Sequence, residues 1–176
     1  VQRNITAVHN PVSNLKLASG AARVPRLLER GVNVALGTDG VASNNSHDLF
    51  EEIKLAALLH KGIGLDPAAV TARQALEMAT INGARALRRN TGVIAPGKTA
   101  DLILVDLAAP NLFPCHDVEA DLVYSARGSN VVMNMARGRV IYEKGEFFTL
   151  DLEKIRAEVE GYALPRIFGS VRGGGA

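Results

Sequence analysis

Apolar residues follow two kinds of pattern along this 176-residue chain, and the change between them organises everything else. Up to about residue 90, short apolar runs alternate with stretches whose apolar residues recur every three or four positions. Residues 5–9 (ITAVH) and 32–36 (VNVAL) are such runs. Runs of this length bounded by turn formers suit strands buried on both faces. Between them VPRLLERG carries Pro25 in a first helical turn and Gly31 just past the last, which predicts a helix over 25–30. A strand–helix–strand unit of this kind is expected to be parallel with a right-handed crossover. Asn10-Pro11 ends the first strand, because the residue before proline is pushed out of helical geometry, and residues 12–20 read as a loop. Residues 48–61 place Leu49, Ile53, Ala56 or Ala57 and Leu59 at helical spacing, with Gly62 available to close the helix. Thr71-Ala72-Arg73-Gln74 is a capping box that opens a helix running to about Arg88. Gly83 inside it costs about 1 kcal/mol relative to alanine, which predicts a close backbone contact there.

After Asn90 the helical period gives way to short strands. Pro96-Gly97-Lys98 reads as a turn, followed by strands at 100–106 (ADLILVD), 118–125, 130–136 and 139–143. Arg137-Gly138 joins the last two tightly enough for a hairpin. The division expected is 1–91, 92–150 and 151–176, the last being a helix over 152–161 and a mobile glycine-rich tail. There is no internal repeat.

Composition narrows the class. Hydrophobic content of 47% and charged content of 22% suit a soluble globular protein. A net charge of +2 without a basic stripe gives no reason to expect nucleic acid or an anionic membrane. No apolar run approaches the roughly 20 residues of a membrane-spanning helix. One cysteine, Cys115, excludes an internal disulfide and fits a reducing, cytoplasmic setting. The chain opens on Val1-Gln2-Arg3-Asn4, which does not resemble a natural start and suggests a piece of something longer.

The candidate chemistry gathers where the second strand ends, at Leu36-Gly37-Thr38-Asp39-Gly40. A carboxylate at the C-terminal mouth of a parallel strand sits where α/β folds collect their active groups. Asp39 is therefore the leading catalytic or metal-binding candidate, against the plainer reading of a turn aspartate. His9 ends the first strand and is either structural or adjacent to a substrate. Ser13, Asn14, Asn44 and Asn45 are ordinary turn formers and on their own read as ordering their loops. His47 and His60, at the ends of the helix over 48–61, read as surface groups. Cys115-His116 lacks the four ligands of a structural zinc site. Lys98 and Asp101 read as turn residues.

Three motifs in order, HNPVSNLKLASG (9–20), LGTDGVASNN (36–45) and ALEMATINGARAL followed by PGKTADLILVD (75–106), resemble the amidohydrolase superfamily. The resemblance is strongest to deaminases of S-adenosylhomocysteine and 5′-methylthioadenosine, with triazine hydrolases as near relatives, and it runs to about Phe148. It implies the C-terminal portion of a distorted (β/α)8 barrel, with residues 5–9 and 32–36 as its seventh and eighth strands. Residues 92–148 would then be the C-terminal share of a small β-sandwich. Asp39 matches the aspartate of the eighth strand, which lies at the metal and takes a proton from metal-bound water. Ser13 and Asn14 match a loop beside the pocket, and His9 and Asn44 flank it as substrate-binding candidates. The His-x-His pair and the other histidines and glutamate of the family have no counterpart here. The cofactor implied is a divalent metal, zinc, whose other ligands lie outside this chain.

The function expected is thus part of a metal-dependent deaminase acting on a nucleoside-like small molecule. The alternatives are a triazine-type chlorohydrolase, a guanine- or cytosine-type deaminase, or a non-catalytic scaffold. The chain by itself is expected to be inactive, and its unpaired strand edges predict a homo-oligomer or pairing with an N-terminal part.

Overall fold

Strands β1 (Thr6–His9) and β2 (Asn33–Leu36) lie side by side and parallel, with Thr6 opposite Asn33 and His9 opposite Leu36. They belong to a computed structural model that describes residues 5–169. The crossover between them contains two short helices, α1 (Pro11–Lys16) and α2 (Val24–Glu29), each with proline in its first turn. Helix α1 replaces the loop expected over 12–20. Asn10 is non-helical, as its place before a proline demands, and Pro11 then starts a helix because its missing N–H is not needed there.

Beyond β2 come a single turn, α3 (Val41–Asn44), and the long helix α4 (Leu49–Gly64). Asp48 caps α4 by accepting from the Phe50 N–H at 2.9 Å. The helix runs past Gly62 and ends at Leu65 in the left-handed conformation. The capping box at Thr71 and Gln74 is present as expected, opening α5 (Ala72–Ala79). The single helix expected to run to Arg88 is broken at Thr80 (φ −121°, ψ −92°), and α6 (Ile81–Ala86) follows. The Thr80 hydroxyl donates back to the Leu76 carbonyl at 2.7 Å, a bond that competes with continuation of the helix. The side-chain amide of Asn82 donates to the Val34 carbonyl at 2.9 Å, fixing α6 against β2. Gly83 meets nothing nearer than 4.0 Å, so the close contact expected there is absent. The close approach is made by Gly92, where an added Cβ would lie 2.8 Å from the Ala84 side chain.

Helices α2, α4, α5 and α6 pack on β2, and Ala7 of β1 packs against the same core. Val24, Val34, Ile53, Ala56, Ala57, Val70, Ala75, Met78 and Val123 form one buried cluster. Val123 comes from α7 (Val118–Tyr124), where a strand over 118–125 is expected. The Asp117 carboxylate accepts from the Ala120 N–H at 3.1 Å, and the cap together with burial against α4 and α5 outweighs the strand preference of valine and tyrosine.

The remaining strands form an antiparallel sheet in the order β3 (Leu102–Val105), β4 (Val131–Ala136), β5 (Arg139–Glu143), β6 (Glu146–Phe147). The hairpin expected at Arg137-Gly138 is the β4–β5 connection. This sheet is tied to the helical part by the Asp48 carboxylate, which accepts from the Gly128 N–H at 2.9 Å, and α7 is tied to α5 by the ion pair Arg73–Glu119. Helix α8 (Leu152–Glu158), a π-helical turn over Val159–Ala163 and α9 (Leu164–Phe168) extend the helix expected over 152–161, and none of their residues is buried. Residues 170–176, most of the expected mobile tail, lie outside the described residues. The architecture is mixed α/β, and no closed barrel forms among the described residues.

Candidate functional site

The chain leaves β2 through Gly37, where a side chain has no room. A Cβ there would lie 2.6 Å from Asn10 Oδ1 and 3.2 Å from Val8 Cγ1, so glycine lets the two strand ends converge. Two residues on, Asp39 is exposed and holds φ +60°, a left-handed conformation that costs an L residue about 1 kcal/mol or more.

Both carboxylate oxygens of Asp39 are engaged. Oδ2 accepts from the buried Ser13 hydroxyl at 2.7 Å, and Oδ1 accepts from the Gly40 N–H at 2.8 Å. The Ser13 bond, then the Gly40 bond, with a smaller contribution from Ser43, hold the Asp39 carboxyl below the usual aspartate range, while partial desolvation works weakly the other way. Asp39 is thus an ionised carboxylate presented to solvent on a strained loop.

The supports of that loop are buried. Asn44 is 6% exposed, and its side-chain amide donates to the Thr38 carbonyl at 2.6 Å and to Glu52 Oε1 at 2.5 Å. Glu52 Oε2 accepts from the Val12 N–H at 3.2 Å. Lys16 adds a tether from α1, donating from Nζ to the Ala42 carbonyl at 3.2 Å and to the Asn45 side-chain oxygen. Glu52 is fully buried. Burial pushes its carboxyl above the usual range, and the Val12 and Asn44 donors offset that in part.

The expected site residues are distributed unevenly around this constellation. Asp39 and Ser13 are in direct contact, and Asn44 reaches the peptide that precedes Asp39. Asn14 is half-buried on the same short helix as Ser13. His9 is buried and packs on His60, with ring centroids 5.4 Å apart and tilted. Neither ring nitrogen of His9 has a partner among the described residues. Burial first, then the charge of His60, lowers the His9 pKa to about 4, and burial also lowers that of His60. His60 is therefore a core residue, where a surface group is expected. His47 is exposed, as expected, with Nδ1 3.2 Å from the Thr38 hydroxyl.

Glu52 went unnoticed in the sequence, although a signal for it is there. Its position, three residues after Leu49 and four before Ala56, lies on the apolar stripe of α4, as does His60 after Ile53, Ala56 and Ala57. A charged or titratable residue on a buried stripe is the pattern that marks such a group.

Among the described residues no group of three or more His, Cys, Asp or Glu is placed to hold a metal ion. Asp39 offers an exposed anionic carboxylate just past the C-terminal end of β2. A cleft of about 450 Å³ lies at the opposite strand ends, between Ile5, Thr6, Asn33, Arg85 and Arg88, and contains no carboxylate.

The sequence profile of the Amidohydrolase family matches residues 1–141. The chain is 54% identical over 157 residues to a 5′-deoxyadenosine deaminase of Methanosarcina acetivorans, covering 89% of this chain and 36% of that protein. A 5-methylthioadenosine/S-adenosylhomocysteine deaminase of Moorella thermoacetica is 53% identical over 160 residues, covering 90% and 37%. Among solved structures, an adenosine deaminase from Xanthomonas campestris with bound zinc aligns with a TM-score of 0.88 at 39% identity, over 92% of this chain and 37% of that one. An atrazine chlorohydrolase from Arthrobacter aurescens complexed with zinc aligns with a TM-score of 0.84 at 28% identity, over 91% and 36%. The chain therefore spans little more than a third of the length of these proteins.

Proposed function

The chain belongs to the Amidohydrolase family, and from that premise we propose that it is the C-terminal part of a metal-dependent aminohydrolase acting on an adenosine-type nucleoside. S-adenosylhomocysteine, 5′-methylthioadenosine and 5′-deoxyadenosine are the substrates favoured by relatives at 53–54% identity. The chlorohydrolase likeness, at 28% identity, carries less weight. In this reading β1 and β2 are the seventh and eighth strands of a (β/α)8 barrel, and β3–β6 belong to the appended sandwich. The free edges of β1 and β2 then pair with strands outside this chain, and further elements of the longer protein would cover the Ile5 and Val8 side chains, which are 64% and 59% exposed.

The observation that carries the proposal is Asp39, an ionised carboxylate at the C-terminal mouth of a parallel strand, held by Ser13 and Gly40. As a hard anionic donor it fits one ligand position of a divalent cation, for which zinc is the favoured choice. The described residues do not complete such a site, so this chain alone is proposed to be inactive. A divalent cation, when bound, supplies Lewis acidity that draws the pKa of water towards 7. With such a cation bound, Asp39 would be the carboxylate placed to accept a proton, and Ser13 would keep its Oδ2 oriented. His9, Asn14 and Asn44 remain as candidates around the substrate, with Asn44 acting through the peptide of Thr38.

The test is Asp39→Asn in the full-length zinc-loaded protein, assayed for ammonia release from 5′-methylthioadenosine and S-adenosylhomocysteine. A fall in kcat of about 10²- to 10⁴-fold with the fold retained is expected, since an amide accepts no proton. Activity within twofold of the parent would reduce Asp39 to a turn residue.

A further inference from the structure

We infer that Glu52, a residue with no part in the reaction as proposed above, is the positioning residue that sets the geometry of Asp39. Four hydrogen bonds close a ring through it. The Thr38 carbonyl accepts from Asn44 at 2.6 Å, and Asn44 donates to Glu52 Oε1 at 2.5 Å. Glu52 Oε2 accepts from Val12 at 3.2 Å, and Ser13, the next residue, donates to Asp39 at 2.7 Å. Thr38 and Asp39 are themselves adjacent, so the ring returns to its start. Each of the two segments that meet in the Ser13–Asp39 bond is thus gripped one residue upstream, and one carboxylate grips both.

The chemistry of Glu52 suits this task and no plainer one. A fully buried carboxylate with no cationic partner among the described residues is expensive to desolvate, and an apolar residue at this point of the α4 stripe would stabilise the core at least as well. What the carboxylate provides is two acceptors at fixed separation, each filled by an N–H from a different loop. Glutamine cannot replace it, because its amide nitrogen would face either the Val12 N–H or the Asn44 amide, donor against donor. The scaffold is also the right kind: Glu52 sits on the 16-residue α4, whereas Ser13 and Asp39 sit on a six-residue helix and a strained loop. A rigid element holding two soft ones is how a reacting group is kept within a fraction of an ångström.

This inference rests on Asp39 being the reacting carboxylate, so its test has one arm that needs no catalysis. In the full-length zinc-loaded protein, Glu52→Gln is expected to lower kcat about 10- to 100-fold while KM stays within about threefold. Adding Ser13→Ala to it lowers kcat by no more than a further twofold or so, since both act through one bond. The exposed neighbour substitution Glu51→Gln serves as the control and changes neither constant. Independently of activity, amide hydrogen exchange in Glu52→Gln is expected to quicken about tenfold over residues 12–17 and 40–45, with β2 and α5 unchanged. Should Glu52→Gln not fold, Asn44→Ala cuts one arm only, and faster exchange is expected over 40–45 but not over 12–17. Unchanged exchange in both segments, exchange quickened uniformly along the chain, or full multiplication of the Ser13→Ala and Glu52→Gln effects would each overturn the inference. If the parent protein released no ammonia, the proposed function would fail, and the exchange pattern would still decide whether Glu52 holds the loops.

Discussion

The parallel pair β1–β2 with its helices and the antiparallel sheet β3–β6 draw on the same aliphatic residues, yet they bury them differently. Val34 and Ala35 of β2 are 0% and 2% exposed, whereas Ile103 and Leu104 of β3 are 44% and 52% exposed. Helices α4, α5 and α6 pack directly on β2, and no helix packs to comparable extent on β3 among the described residues. The consequence reaches the polar groups. In the first region the network runs through the fully buried Glu52, whose bonds to Asn44 and Val12 link three segments shielded from competing water. In the second region the polar contacts among the described residues involve no buried charge: Asn111 and Asn130 exchange amide hydrogen bonds at 3.0 Å, and Asp101 accepts from the Arg137 N–H at 2.7 Å. A site that must hold a carboxylate in one geometry belongs in the first.

That contrast can be broken most forcefully at Met78, which is fully buried in the helical layer. Met78→Ala is expected to lower the unfolding free energy of the full-length protein by about 2–5 kcal/mol in urea titration. A loss below about 1 kcal/mol would mean that the cluster around Val34 and Ile53 is not the stabilising core.

The next effect in size comes from pH. The folded pKa of His9 is lowered to about 4 and that of His60 is lowered too, so each binds a proton more readily once unfolded. Their contribution is intact above pH 6.5 and drains away as pH falls towards 4, by about 2–3 kcal/mol for His9 at pH 4.5. Glu52 is shifted upward and works in the opposite sense, gaining stability for the fold as it protonates, so the net loss is smaller. Urea midpoints measured from pH 7.5 to 4.5 should fall steadily, and in His9→Gln/His60→Gln the fall should disappear or turn into a small rise from Glu52. A parent profile flat over that range would show that the two rings find partners or solvent.

Asp48 sharpens the junction between the regions, capping α4 with one oxygen and holding Gly128 with the other. Asp48→Ala is expected to cost about 1 kcal/mol, the size of a lost N-cap, readable as a shift of the thermal midpoint. The smallest effect is expected at Ile155 on α8, 41% exposed, where Ile155→Ala should stay within about 0.5 kcal/mol of the parent. A larger loss would reveal that α8 is packed in the full-length protein against something outside the described residues.

Much of the first region is legible in the chain itself. The two parallel strands, the capping box at Thr71 and Gln74, and the helical stripe of α4 follow from periodicity and local donors and acceptors, which act over four residues or fewer. Asp39 could be singled out from its place just past a glycine-stopped strand, where a turn aspartate is equally at home, and the amidohydrolase resemblance tips the choice. The segment over 118–125 was less legible, since its valines and tyrosine favour a strand and only the Asp117 cap and the contacts of Val123 tip it to a helix.

By itself, then, the sequence determined which stretches are strand or helix wherever a local cap or period was strong, and which carboxylate stands at the strand end. Tertiary structure decided the rest: that Ser13 meets Asp39 across 26 positions, that Glu52 reaches Val12 across 40, and that His60 turns inward onto His9. The reason is physical. Local propensities are settled by neighbours a few residues away, whereas the partner of a buried polar group is fixed only when distant segments are packed together and water is excluded between them.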